Sequence, residues 1–216
     1  ERAQLPVQPG PGLERQRLVD DRAALEVLAR AGAGVSAGVD PASRFAVLNP
    51  GGNNPAKRWA PERFAAAADH LWRVHGVRSV VNGSPKESYV VEGVVGGCAE
   101  GTNAAGLASA GVTLASLKGI VKRCCLMVTN DTGPRHIAAA FGVPVVSLFG
   151  PTDPRWTTIP AREAVITADP TLPEEEVADD HPERCAIDGI ELARVAAAVD
   201  EMLGGPLADA RGALEA

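Results

Sequence analysis

From residue 45 onward, short and mainly apolar runs alternate with longer segments whose apolar residues recur every three or four positions. The runs "FAVLN" (45–49), "RSVVNG" (78–83), "AAGLA" (104–108), "LMVTN" (126–130), "VPVVSLFG" (143–150) and "EAVITA" (163–168) read as buried strands. Between them, "APERFAAAADHLWRVHG" starts a helix at Pro61, runs a stripe of Phe64, Ala67, Ala68, Leu71 and Val74, and stops at Gly76. "KESYVVEGVVGGC" reads as a helix that frays at its glycines, and "TLASLKGIVKRC" (113–124) puts Leu114, Leu117 and Val121 on one face. "PRHIAAAFG" and "DGIELARVAAAVDEML" (188–203) complete the helices. Ahead of this body, "ERAQLPVQPGPG" (1–12) has linker composition, and "LVDDRAALEVLARAG" carries Leu18, Ala23, Leu25 and Leu28 before a stop at Gly32. The division expected is an inter-domain linker with a short helix over 1–43, a domain over 44–203, and a disordered tail over 204–216.

Repeated strand–helix alternation implies right-handed crossovers and an α/β, Rossmann-like, doubly wound parallel sheet. Ligands of such sheets bind at the carboxyl ends of the strands, which directs attention to the loops 50–59, 83–87, 129–136 and 150–156. Composition agrees: 45% hydrophobic but only 4% aromatic residues describe an Ala, Val, Leu and Ile core, suited to helices on a parallel sheet. A net charge of −6 leaves no electrostatic footprint for nucleic acid. No apolar run reaches membrane-spanning length, so no transmembrane segment is expected. Cys98, Cys124, Cys125 and Cys185 lack metal-type spacing and read as reduced thiols of a cytoplasmic protein.

The densest chemistry is "TNDTGPRH" (129–136), between a strand and a helix. A helix amino terminus offers unpaired amides and a positive dipole end to an anion. Gly133 admits close approach, Thr132 adds a hydroxyl, Pro134 sets the first turn, and His136 lies within reach of a phosphate oxygen. Asp131 would repel a diphosphate, so it must cap the helix or accept hydrogen bonds from ligand hydroxyls. Plain helix capping explains the same residues, and local chemistry leaves both readings open.

"NPGGNNPAKRW" (49–59) makes a tight turn at a strand end, from which Lys57 can reach a phosphate; a polar loop with solvated Lys57 and Arg58 is the alternative. Trp59 reads as packing rather than stacking. Neither a P-loop Gly-Lys-Ser/Thr nor GxGxxG is present. In "NGSPKE" (82–87), Glu87 can accept from ribose hydroxyls or merely open a helix. "LFGPTDPRW" (148–156) forms a rigid turn suited to shaping a wall through Pro151 and Pro154.

Together, "NDTGPRHIAAAFGVPVVSLFGPTDP", "NPGGNNPAKRWAPERFAAAADHL", "NGSPKE", "GVTLASLKGIVKRC" and "ERCAIDGIELARVAAAVDEML" resemble glycosyltransferase family nine, the ADP-heptose:lipopolysaccharide heptosyltransferases, over roughly residues 16 to 203. The resemblance implies the carboxyl-terminal, donor-binding half of a GT-B enzyme. On it, Lys57 matches the diphosphate-contacting lysine of "KxW", Glu87 the acid that contacts the nucleoside, and Val112 a backbone contact to adenine. Asp131, Thr132, Gly133 and His136 match the donor-binding "DTGxxH", with Asp131 facing sugar hydroxyls. It further implies inverting, metal-independent transfer, with Lys57 and His136 stabilising the departing diphosphate. No acidic metal-binding cluster is visible and no cofactor is expected beyond the ADP-heptose or related ADP-sugar donor.

The general base and the glycolipid acceptor site belong to the family's amino-terminal domain, which this sequence does not contain; residues 1–216 alone are therefore expected to be inactive. The implied place of work is the cytoplasm, at the inner face of a bacterial inner membrane, with peripheral membrane contact. Two other readings stand beside this one: a non-catalytic nucleotide-binding or interaction module of GT-B ancestry, and a sugar-nucleotide epimerase-like GT-B enzyme preferring UDP ligands. Arg135 occupies a position expected to be apolar, where it either adds charge at the phosphate site or points outward.

Overall fold

The computed structural model describes residues 11–32, 43–99, 104–168 and 186–205. Residues 1–10 and 33–42 of the expected linker, the tail beyond Gly205 and Cys185 lie outside the described residues. The six predicted runs form one parallel sheet: β1 (Phe45–Asn49), β2 (Arg78–Val81), β3 (Ala104–Gly106), β4 (Leu126–Asn130), β5 (Val145–Phe149) and β6 (Glu163–Thr167). Their order is β3-β2-β1-β4-β5-β6. Winding therefore reverses between β1 and β4, where Ala46 pairs with Leu126 and Asn49 with Thr129.

The helices are α1 (Pro11–Gly32), α2 (Pro61–His75), α3 (Ser88–Gly97), α4 (Leu114–Arg123), α5 (Gly133–Ala140) and α6 (Leu192–Leu203). Alternation along the strands builds two cores, because successive side chains point to opposite faces. Ala46, Leu48, Leu126, Val128, Val146 and Leu148 pack with residues of α2, α3 and α6. Phe45, Val47, Met127 and Val145 pack with residues of α1, α4 and α5. Both faces are covered, which is why these strands are apolar throughout rather than alternating.

Helix ends follow local chemistry. Gly76 stops α2 in the left-handed region at φ 60°, donating its N–H to the carbonyls of Leu71 and Trp72. At the start of α4, the Ser116 amide donates to Thr113 Oγ1 at 3.2 Å and the Thr113 amide donates to Ser116 Oγ at 2.8 Å, a reciprocal cap.

Helix α1 differs from expectation. It begins at Pro11 rather than Leu18, and its buried stripe is Ala24, Val27 and Leu28, with Leu25 on the exposed side. That stripe packs against α4 and the sheet in the second core. Arg30 fastens its far end by donating from Nε to the Ala110 carbonyl at 2.8 Å. The helix is thus part of the folded body. Leu114, expected on the inner face of α4, is also exposed; Ile120 is buried beside Leu117 and Val121 instead.

Trp59 is fully buried, edge-on to Phe64 at 5.3 Å, and donates Nε1–H to the Ile190 carbonyl at 3.0 Å. It packs, as its size suggested. Cys98, Cys124 and Cys125 are free thiols. No helix among the described residues is long and apolar enough to cross a membrane.

Candidate functional site

Three neighbouring strands end in asparagine: β1 at Asn49, β4 at Asn130, and β2 in Asn82 immediately after Val81. All three are buried. Asn82 Nδ2 donates to Asn49 Oδ1 at 2.7 Å, and Asn49 Nδ2 donates to Thr132 Oγ1 at 2.8 Å and Thr129 Oγ1 at 3.1 Å. Asn130 holds the loop after β1, donating to the Pro50 carbonyl at 2.8 Å while its Oδ1 accepts from the Trp59 amide at 3.3 Å. These amides tie the carboxyl ends of three strands into one polar floor, with side-chain groups satisfying what the sheet leaves open. Sequence reasoning quoted the three loops but passed over these residues. The one signal in the sequence, an asparagine at the end of three of the six runs, is shared with ordinary loop entries.

Above that floor lies a cleft of about 640 Å3 at the switch point, a volume in the range of small-ligand sites. Lys57, Glu87, Val112, Asp131, Thr132 and Gly133 all line it. Four loops distant in sequence meet there because the sheet order brings the ends of β1, β2, β3 and β4 side by side.

The amino terminus of α5 opens onto this cleft. Thr132 occupies the N-cap position, yet its side chain makes no capping hydrogen bond. Its hydroxyl is turned toward the floor, accepting from Asn49 and lying 3.3 Å from the Asn130 carbonyl as a donor. Gly133 is exposed, and a Cβ added there would meet nothing within 4 Å. Plain side-chain capping by Thr132 does not account for the motif.

Asp131 does not cap the helix either. Its carboxylate lies 3.7 Å from Lys57 Nζ on one side and 3.7 Å from Arg135 NH1 on the other, with Thr157 Oγ1 at 3.5 Å. Two cations thus offset the charge that made it an awkward neighbour for a phosphate. Arg135 corrects both expectations made for it: its side chain is completely buried, neither lining the cleft nor pointing outward. Its Nε donates to Glu163 Oε1 at 2.7 Å and Ser147 Oγ at 3.0 Å, NH1 donates to the Thr157 carbonyl, and the guanidinium lies 4.9 Å from the Phe149 ring centroid. A buried guanidinium requires such pairing.

Glu87 is committed to the loops as well as lining the cleft. Its Oε1 accepts from the Gly52 amide at 2.9 Å, and Oε2 accepts from the Ser84 amide at 2.9 Å and hydroxyl at 2.7 Å. Burial pushes its carboxyl up, but the Ser84 and Gly52 hydrogen bonds and the nearby Arg58 charge outweigh that and hold it below its ordinary value. Gly51 is required by this contact, since a Cβ there would sit 2.4 Å from Glu87 Oε1. Arg58 is not merely solvated: Nε donates to the Gly52 carbonyl at 2.6 Å and NH1 to the Tyr89 hydroxyl at 2.7 Å.

Two expectations fall outside the cleft. His136 is exposed and is not among the lining residues. It stands three residues beyond Gly133, about 4.5 Å further along α5 at the helical rise. The turn 150–156 does not line the cleft either; the segment after β5 reaches the site only through Thr157. Conversely, Asn53 and Asn54 line the cleft without having been singled out, and Leu114, expected on the inner face of α4, lines it too.

Comparison with known proteins shows the family and the fold. The sequence model of glycosyltransferase family 9 (heptosyltransferase) matches residues 16–185. Lipooligosaccharide heptosyltransferase 2 of Haemophilus ducreyi is 36% identical over 115 residues, covering 52% of this chain and 33% of that protein. The crystal structure of the glycosyl transferase family 9 protein from Veillonella parvula superposes with a TM-score of 0.70 at 26% identity, over 88% of this chain and 51% of that one. The Escherichia coli heptosyltransferase WaaC, solved with ADP, shares the fold with a TM-score of 0.57 at 22% identity, over 75% of this chain and 45% of that one. The chain therefore spans about a third of the curated relative and about half of the solved structures. With the family model matching residues 16–185, most of its length, this chain belongs to glycosyltransferase family 9.

Proposed function

We propose that the cleft holds the diphosphate and nucleoside of an ADP-sugar, ADP-heptose or a close relative, as the donor half of a lipopolysaccharide-type heptosyltransferase. The observation that carries this reading is the meeting of Lys57, Asp131 and the open amino terminus of α5 in one cleft at the switch point. The curated relatives are lipopolysaccharide and lipooligosaccharide heptosyltransferases, and a solved neighbour holds ADP.

In this reading the diphosphate lies against the α5 amides and Lys57, where dipole and charge both favour an anion. Val112 and the exposed Leu114 offer an apolar wall to the base, and Glu87 keeps the Gly52 and Ser84 loops at the spacing the nucleoside needs. Asp131 accepts from sugar hydroxyls. An acceptor hydroxyl attacks the anomeric carbon, the bond to the diphosphate breaks with inversion, and ADP leaves. The proton passes to a general base carried by the acceptor-binding half of the enzyme. Negative charge developing on the diphosphate is met by Lys57 and the helix amides.

Calorimetry on this chain tests the reading. ADP is expected to bind at one site and more tightly than UDP. No heat up to millimolar ADP overturns it, and tighter binding of UDP transfers the cleft to a different sugar-nucleotide chemistry.

A further inference from the structure

Away from the cleft, the carboxyl-terminal ends of α2 and α6 meet around three metal-type donors. Asp200, in the last turn of α6, faces two histidines of α2, with its Oδ1 2.7 Å from His70 Nε2 and 2.6 Å from His75 Nε2. The available ligand atoms of the three residues all lie within 4.8 Å of one another, a grouping found nowhere else among the described residues. The His75 side chain is 2% exposed, whereas His70 and Asp200 are 22% and 35% exposed.

We propose that His70, His75 and Asp200 form a binding site for a zinc-like divalent transition cation that staples α6 to α2. Two imidazole nitrogens and one carboxylate oxygen are a usual zinc donor set, and the partly open side leaves a position for water as fourth ligand. The local field favours a cation. Both helices end here, each presenting the negative end of its dipole, and Asp200 adds a carboxylate at an end where a helix disfavours negative charge. Arg162, the nearby guanidinium, is directed to the carbonyls of Glu201 and Met202 and leaves the Asp200 carboxylate to the two rings.

Zinc–nitrogen bonds of about 2.0–2.1 Å in a tetrahedron place donors roughly 3.3 Å apart. Binding therefore requires the present contacts to open by a little over half an ångström, which the partly exposed His70 and Asp200 side chains can supply while buried His75 stays in place. The metal would stand in for the hydrogen bonds that now join the two helices. The opposite end of α6 is already fastened, because Trp59 Nε1 and Arg63 NH1 both donate to the Ile190 carbonyl. A cation at His70, His75 and Asp200 would complete a two-point attachment of the helix. Its role is structural and separate from the donor cleft.

The test is titration of the metal-stripped chain with zinc chloride at pH 7.5, followed by calorimetry and thermal unfolding. The expected result is one zinc per chain and a raised melting temperature, with affinity falling about ten-fold or more in His70→Ala and in Asp200→Asn. Both substitutions are at partly exposed positions, so the variants are expected to fold, which circular dichroism checks. Cobalt(II) gives a second readout: visible bands of a four- or five-coordinate nitrogen and oxygen site in the parent chain, lost in both variants. Absence of saturable zinc uptake means the trio is a hydrogen-bonded contact only and overturns the proposal. Uptake that survives both substitutions, or a cobalt spectrum of the hydrated ion, overturns it equally.

Discussion

Lys57 and Arg135 carry the same charge and stand at the same distance, 3.7 Å, from the carboxylate of Asp131, yet they belong to different parts of the molecule. Lys57 comes from a short 3-10 turn on the cleft side, and part of its side chain meets solvent. Arg135 comes from the first turn of α5, is fully buried, and is held by Glu163, Ser147, Thr157 and the face of Phe149. The compact ammonium on its flexible stem can turn to an incoming phosphate without disturbing the core. The guanidinium cannot, because its Nε and NH1 are already committed in a place where losing a partner strands a charge, and its buried NH2 has no hydrogen-bond partner. The position of a cation, not its charge, separates a cleft-lining side chain from a structural tie.

The strongest way to break this comparison is Arg135→Met. Leaving Glu163 and Asp131 without their buried partner is expected to cost about 3–5 kcal/mol of stability in urea unfolding. The double variant Arg135→Met/Glu163→Leu should recover part of that loss. A single variant as stable as the parent would show that Arg135 is not the tie described. Lys57→Ala should do the converse: little change in the urea midpoint, but ADP affinity lower by about 10- to 100-fold, the scale of one charge-assisted hydrogen bond. Unchanged affinity in calorimetry would remove Lys57 from the diphosphate site.

The smallest effect is expected at Glu87, which supports the cleft through the loops. Glu87→Gln keeps one acceptor oxygen and should lose about 1 kcal/mol at neutral pH. The folded carboxyl titrates below its ordinary value of 4.5, so its contribution is full above that pH and fades as pH falls through the lower folded value. The stability gap between parent and variant should therefore narrow below pH 4.5. A gap that is constant from pH 7 down to pH 3 would contradict the clamp.

Much of the site was legible in the chain. The alternation of apolar runs and amphipathic segments led to the parallel sheet, and the carboxyl-end rule led to the loops of Lys57, Glu87 and Asp131, all of which line the cleft. Less legible were the three strand-ending asparagines, since each is an ordinary loop-entry residue until the strands lie side by side. His136 was expected in the site because it shares a motif with Gly133, but its helical position sets it outside the lining.

What the sequence determined by itself is what backbone geometry repeats locally. Short apolar runs, periods of three to four, stops at glycine, and the cap at Thr113 all depend on neighbours a few residues away. Only the tertiary structure decided the fate of residues whose partners are remote. Arg135 is buried because β6 delivers Glu163, 28 positions later, to its guanidinium. His70 and His75, five residues apart on α2, share no recognisable metal spacing until α6 brings Asp200 between them, 125 residues beyond His75. Burial and pairing are properties of what packs against a side chain, and in a doubly wound sheet that neighbour comes from a distant turn of the winding.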